Sequence, residues 1–112
     1  MRYLFLICGD QAALDRGPVP VAGQDPLAWV NEMDARGIRK LGNRLRPAAE
    51  AITQRPRNGE LLLADGPFAE TAEVVGGFDV MECADLDEAI EAAAKHPFAA
   101  VGSIEIRPLW DQ

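Results

Sequence analysis

An α+β fold, in which strand–helix–strand recurs on either side of a hairpin, is what this 112-residue sequence predicts. Three observations carry the prediction. Residues 3–8 and 77–83 are apolar runs with little polar alternation, the pattern of strands buried on both faces in the middle of a sheet. Two stretches with helical spacing, 26–37 and 86–96, each lie between strand-like segments. Asn58-Gly59 sits between two further strand-like runs, and Asn-Gly favours the φ > 0 pair of a type I′ turn.

The elements follow in order. Strand 3–8 ends at Gly9-Asp10. Residues 11–24, with Gly17-Pro18, Pro20 and Gly23, read as a long loop, and long loops often carry function. Asp25 is placed as an N-cap with Pro26 at the first helical position, and Gly37 stops the helix. Leu27, Val30 and Met33, with Trp29 alongside, form its apolar stripe. Residues 41–46 read as a strand with Leu41, Asn43 and Leu45 on one face and Arg44 and Arg46 on the other. Pro47 ends that strand and keeps it out of the sheet centre. Residues 51–55 and 60–64 are the hairpin arms. Asp85 is an N-cap with Glu88 at N3, a variant capping box. Leu86, Ala89, Ile90 and Ala93 make the second helix's stripe, with Lys95 and His96 in its last turn and Pro97 after it. Strand 101–107 closes the chain, with Ile104 and Ile106 inward and Ser103, Glu105 and Arg107 outward. Right-handed crossovers put both helices on one face of a four-stranded antiparallel sheet. Strands 3–8 and 77–83 are adjacent at its centre. This is a ferredoxin-like plan, βαβ-hairpin-βαβ, in a single domain spanning 1–112.

Composition narrows the function. Hydrophobic residues are 48% of the chain, enough for a packed core, while the net charge is −7. That balance argues against general nucleic-acid or membrane-surface binding, both of which need a basic face. Cys8 and Cys83 make neither a disulfide framework nor a zinc spacing and read as buried small hydrophobes. Run 3–8 is too short to span a membrane and lacks signal-peptide flanks, so a soluble, reduced, cytoplasmic protein is expected. With no glycine-rich phosphate loop, zinc spacing or serine elbow, neither a cofactor nor a metal is expected.

The candidate chemistry lies at a turn and in a strand. Asp65-Gly66-Pro67 must turn, because Gly66 permits φ > 0 and Pro67 removes a backbone donor. Turn chemistry explains all of it except Phe68, so it is either a structural connector with Asp65 bonding backbone amides or the wall of a small-molecule site. Asp79 is a carboxylate in a central strand, sharing a face with Met81 and Cys83. Left unpaired it would be costly, so Arg44, Arg46 or Arg107 is expected beside it. It is either a structural ion pair or a site carboxylate with a shifted pKa. Arg44, Arg46, Glu105 and Arg107 are expected to form a polar patch on the sheet face away from the helices, a place for an anionic ligand if covered. His96 reads most simply as a helix C-terminal charge. The candidate site is thus Asp65 and Asp79 as catalytic groups, with Phe68, Arg44, Arg46 and Arg107 binding the ligand. The open sheet face is expected to carry Leu4, Leu6 and Cys8, or the residues that alternate with them, together with Met81 and Cys83, too apolar to leave in water. Leu109 and Trp110 add to it, so a homodimer joined through its sheets is expected.

Several blocks together resemble a known family. They are residues 1–7 followed by Gly9-Asp10, Asp65-Gly66-Pro67-Phe68-Ala69-Glu70-Thr71, Gly76-Gly77-Phe78, Asp85-Leu86-Asp87-Glu88-Ala89, and Gly102-Ser103-Ile104-Glu105-Ile106-Arg107-Pro108. In this order they resemble the DGPF, or YCII-related, family over nearly the whole chain. The resemblance implies a dimeric α/β-barrel version of the fold and small bacterial proteins. Some such proteins are encoded near extracytoplasmic-function sigma factors, and one relative is a lyase on a chlorinated aromatic. It also implies a His–Asp pair, proposed as catalytic in YCII proper. Asp65 matches the motif aspartate, but the histidine belongs to the first helix region and residues 26–37 contain none. A His–Asp pair is therefore not expected. Position 79, usually aromatic in such relatives, is here Asp79. The expected function is a small-molecule-binding protein, in its sharper form a lyase-like or acid/base enzyme. Its cleft would lie near the Asp65–Phe68 turn and the sheet face of a homodimer. The alternative is a non-catalytic interaction or regulatory module linked to sigma-factor signalling.

Overall fold

The computed structural model describes residues 1–17, 27–67 and 72–111. Among these the elements are β1 (Arg2–Gly9), α1 (Gln11–Arg16), α2 (Ala28–Ala35), β2 (Arg39–Arg44), a 3-10 turn (Ala48–Glu50), β3 (Ile52–Arg57), β4 (Glu60–Asp65), β5 (Val74–Glu82), α3 (Leu86–Ala94) and β6 (Ser103–Pro108). A four-stranded sheet runs in the order β2-β5-β1-β6, and β3-β4 form a separate two-stranded hairpin. Every pairing is antiparallel. This is an α+β architecture with a ferredoxin-like strand order, and its two most apolar strands, β1 and β5, are adjacent at the centre.

Both helical units cover one face. Tyr3, Phe5, Met81 and Cys83 rise from the sheet into a core with Trp29 and Met33 of α2, Ile38, and Ala89, Ala92 and Ala93 of α3. The alanines bring α3 close enough for the Trp29 indole N–H to donate to the Ala92 carbonyl at 2.9 Å. Leu86 and Ile90, expected in the α3 stripe, are instead about half exposed, because the small residues are what face Trp29 and the sheet. The outer sides of α2 and α3 are joined by exposed ion pairs of Arg36 with Glu32 and Glu91, and of Lys95 with the same two glutamates.

The ends of the helices follow their chemistry. After α2 the Gly37 N–H donates to the Asp34 carbonyl and the Ile38 N–H to the Met33 carbonyl. That is a Schellman closure, with Ile38 packed against Met33 in the core. At α3 the Asp85 carboxylate accepts from the Glu88 N–H at 2.9 Å while the Glu88 carboxylate accepts from the Ala84 N–H at 3.0 Å. The hairpin turn has φ values of 50° at Asn58 and 76° at Gly59, as Asn-Gly requires. On β6, Ile104 and Ile106 pack on the core, and Ser103, Glu105 and Arg107 are exposed.

Several expectations are corrected. Residues 11–16 are helical, not loop: the Asp10 carboxylate caps them by accepting from the Ala13 N–H at 2.7 Å, and Ala13 and Leu14 are buried. The rest of the expected 11–24 loop from residue 18 onward, and the Asp25-Pro26 helix start, lie outside the described residues. Strand β2 covers 39–44 rather than 41–46. Met81 and Cys83 lie beneath the helices, not on the open face. Directly opposed antiparallel residues share a face, and Met81 opposes the buried Tyr3. The open face instead carries Leu4, Leu6 and Cys8 with Phe78 and Val80, since Leu4 opposes Val80 and Leu6 opposes Phe78. Among the described residues no helix is long and apolar enough to cross a membrane.

Candidate functional site

Asp79 sits on β5 opposite Phe5 of β1 and Gly42 of β2, so its side chain points under the helices. It is 5% exposed, the one buried charged residue found among those described. Such a carboxylate needs a partner. The partner is Arg39, whose Nε lies 2.9 Å from Asp79 Oδ1. A register shift between Arg39 and Leu41 sets Arg39 opposite Met81, on the face and diagonal that meet Asp79. Arg39 also pairs with Asp34 of α2 at 3.5 Å. Gly42 makes the room. A Cβ there would collide with Asp79 Oδ1 and lie 2.7 Å from Arg39 Nη2 and 2.8 Å from the Phe78 carbonyl oxygen.

The second carboxylate oxygen meets a histidine. His96 follows α3, and its Nε2 lies 3.8 Å from Asp79 Oδ2. The Phe98 backbone N–H donates to His96 Nδ1 at 3.1 Å. Nδ1 is therefore an acceptor, which leaves the ring proton of the neutral form on Nε2, facing Asp79. The ring meets Trp29 edge-on with centroids 4.5 Å apart. Burial, assisted by the Arg39 charge, pushes the His96 pKa down to about 4. At neutral pH the ring is uncharged, so His96 is not the helix-end cation the sequence suggested. Burial raises the Asp79 pKa, with the Arg39 hydrogen bond opposing it. The 3.8 Å separation exceeds a hydrogen bond. A hydroxyl set beside the pair could donate to Oδ2 and accept from Nε2–H.

Asp79, His96 and Arg39 line a cavity of about 370 Å³ whose apolar wall includes Trp29, Val30 and Phe98. That volume suits a small organic molecule. Arg44 borders it, with Nη2 donating to the Leu14 carbonyl at 2.7 Å. The other expected residues are elsewhere. Arg46 pairs with Glu50, and Arg107 with Glu105, both at exposed positions. The expected patch of Arg44, Arg46, Glu105 and Arg107 therefore does not form, because Arg44 turns to the helix side and Arg46 lies beyond the strand's end. None of Arg44, Arg46 or Arg107 is the partner of Asp79. Asp65 is exposed at the end of β4. Pro67 lines a separate groove of about 660 Å³ with Leu45, Pro47 and Val74, so the turn and Asp79 face different cavities. Phe68 lies outside the described residues.

The sequence reading missed Arg39, Gly42 and the part played by His96. Gly42 carried a signal, since a lone glycine inside a strand marks close backbone approach. Arg39 carried none, because its position depends on the register shift. Burial raises both thiols, Cys8 and Cys83. Among the described residues no three His, Cys, Asp or Glu side chains gather as a metal-binding set.

Comparison with known proteins adds two findings. A family model described as the YCII-related domain matches residues 1–112. An uncharacterized protein of Rhizobium meliloti (strain 1021) is 41% identical over 99 residues, covering 73% of this chain and 80% of that protein.

Proposed function

This chain belongs to the YCII-related domain family, and from that premise we propose that it is a small-molecule-binding, acid–base protein working through Asp79 and His96. The observation that carries this reading is the approach of His96 Nε2 to Asp79 Oδ2, 3.8 Å apart, while Arg39 occupies the other oxygen. All three groups open onto the cavity with Trp29 and Phe98. Arg39 leaves Oδ2 as the oxygen that meets a ligand. A substrate proton placed there passes to the carboxylate, and the His96 Nε2–H donates to the oxygen on which negative charge develops. A raised Asp79 pKa brings the carboxyl nearer the working pH of a general base. This pair differs from the His–Asp pair of YCII proper in both members, since Asp79 is not the motif aspartate and His96 follows α3 rather than lying in the first helix region.

A ligand-dependent melting screen of small hydroxylated and carbonyl compounds tests this. A compound that raises the melting temperature is expected to lose at least about tenfold in affinity, or ~1.4 kcal/mol, in both Asp79→Asn and His96→Gln. Equal affinity in all three proteins sinks the reading.

We also infer a homodimer joined on the side away from the helices. Leu4, Leu6, Phe78 and Val80 form a continuous apolar row there, with Leu41 of β2 53% exposed beside them. One face of the hairpin carries Ile52, Pro56, Leu61 and Leu63 together with Gln54 and Asp65, while the other carries Thr53, Arg55, Arg57 and Glu60 with Leu62 and Ala64. The four apolar residues of the first face are all exposed. A two-stranded hairpin is marginal by itself, and apolar surface on this scale calls for a cover. The radius of gyration, 15.9 Å, exceeds the ~13 Å of a compact chain this long, as an arm extended toward a partner would require.

A further inference from the structure

Resting on the acid–base reading, we propose that the cavity takes a small carboxylic acid bearing a hydroxyl group at its far end, with Arg44 binding the carboxylate and the Asp79–His96 pair receiving the hydroxyl. Two arginines line the cavity. Arg39 is neutralised by two carboxylates, those of Asp79 and Asp34. Arg44 is different. Its Nη2 is held by the Leu14 carbonyl, a neutral acceptor that orients the guanidinium without cancelling its charge. Among the described residues it forms no ion pair. Asp15 and Glu50 border the neighbouring cavity that Arg44 also lines, and neither pairs with it. In a chain of net charge −7, an uncancelled guanidinium at a cavity is suited to a planar anion.

Register places the two ends of the site on neighbouring positions of one face. Gly42 opposes Asp79 and Arg44 opposes Gly77, so the backbone positions that carry the two ends of the site are one same-face step apart along both strands, about 7 Å between Cα atoms. Between them the floor is backbone. Gly77 occupies the same-face position next to Asp79, where any side chain would fill the intervening space. Beyond Gly77 the Leu14 side chain closes the floor, since a Cβ at Gly76 would lie 2.6 Å from its methyl groups. The missing side chain at Gly77 thus leaves a flat track between anion end and proton end, with the Trp29 and Phe98 rings among the cavity walls. A planar skeleton with a carboxylate and a hydroxyl at opposite ends fits that track.

The test uses 4-hydroxybenzoate, with 4-hydroxybenzamide as its uncharged analogue and benzoate as the analogue lacking the hydroxyl. Binding is followed by the NMR signals of the Trp29 indole and the His96 ring. The acid is expected to bind wild type about tenfold more tightly than the amide, and Arg44→Gln to remove that preference while Arg44→Lys keeps most of it. Arg57→Gln, at the hairpin tip, keeps all of it. Absence of saturable shifts with 4-hydroxybenzoate overturns the proposal, as does an unchanged acid-to-amide ratio in Arg44→Gln. Asp79→Asn separates the two readings, since it should abolish the preference for 4-hydroxybenzoate over benzoate and spare the acid-to-amide ratio. If the ratio depends on Arg44 but the hydroxyl preference ignores Asp79, the carboxylate site stands and the acid–base reading falls.

Discussion

Protonating His96 costs the folded chain more than the unfolded one, because its ring is packed between Trp29 and Phe98. Its pKa falls from 6.5 to about 4 on folding. The unfolded chain takes up this proton first, so stability is lost as pH falls through that window, by up to about 3 kcal/mol. Asp79 acts in the opposite sense. Its raised folded pKa means that acid relieves the desolvation of its carboxylate. His96→Gln removes only the first effect. Chemical denaturation between pH 6.5 and 4.5 is expected to show the variant losing less stability than wild type, and parallel curves would contradict the assignment. Below that range Glu91, held down to about 2 by Arg36 and then Lys95, sheds its own stabilisation in both proteins. Gly42→Ala should destabilise by about 1–3 kcal/mol, since its methyl meets the Asp79 carboxylate and the Phe78 carbonyl together. Urea denaturation measures this, and Asp79→Ala in the same chain should recover part of the loss. At this scale the sequence was partly legible. A carboxylate in an apolar strand announces itself through the period of two, but the reach of His96 back to it depends on where α3 lands.

The hairpin is the element whose form and purpose come apart. Asn58-Gly59 announced the turn, and the strands on either side extend to 52–57 and 60–65. What two-residue alternation did not reveal is that Ile52, Pro56, Leu61 and Leu63 share one face with Gln54 and Asp65 and stay exposed, because three consecutive leucines, with Leu62 on the other face, mask the alternation. Leu61→Asp with Leu63→Asp is expected to convert the proposed dimer into a folded chain of mass near 12.1 kDa by sedimentation equilibrium. A doubled mass for this variant would remove the hairpin from the interface. Two other elements were harder to read. The Gly17-Pro18 punctuation hid the short helix before it. The central strands are apolar on both faces, so their pattern gave their place in the sheet but not which residues lay beneath the helices. Only the register, with Met81 opposite Tyr3, decides that.

The whole molecule is a slab of 48 × 37 × 18 Å, thin because one layer of helices lies on one sheet. Element order was enough to predict that layering, since each helix connects strands that its crossover must cover from the same side. It was not enough to place the cavity, which opens where the ends of α2 and α3 meet β2 and β5. The proposed interface and the Asp79–His96 cavity lie on opposite faces of the sheet. In a dimer closed through the open faces, the two cavities would look outward, with two sheets between them. Neither would borrow a residue from the other, and filling one would not move a wall of its twin. Ligand should then bind with a Hill coefficient of about one, and the monomeric hairpin variant should bind it with the same affinity as the dimer. A sigmoidal isotherm, or affinity lost on dilution, would mean that the two subunits communicate through the sheets. As the layers stand, pairing would hold the fold together while each copy answers its ligand alone.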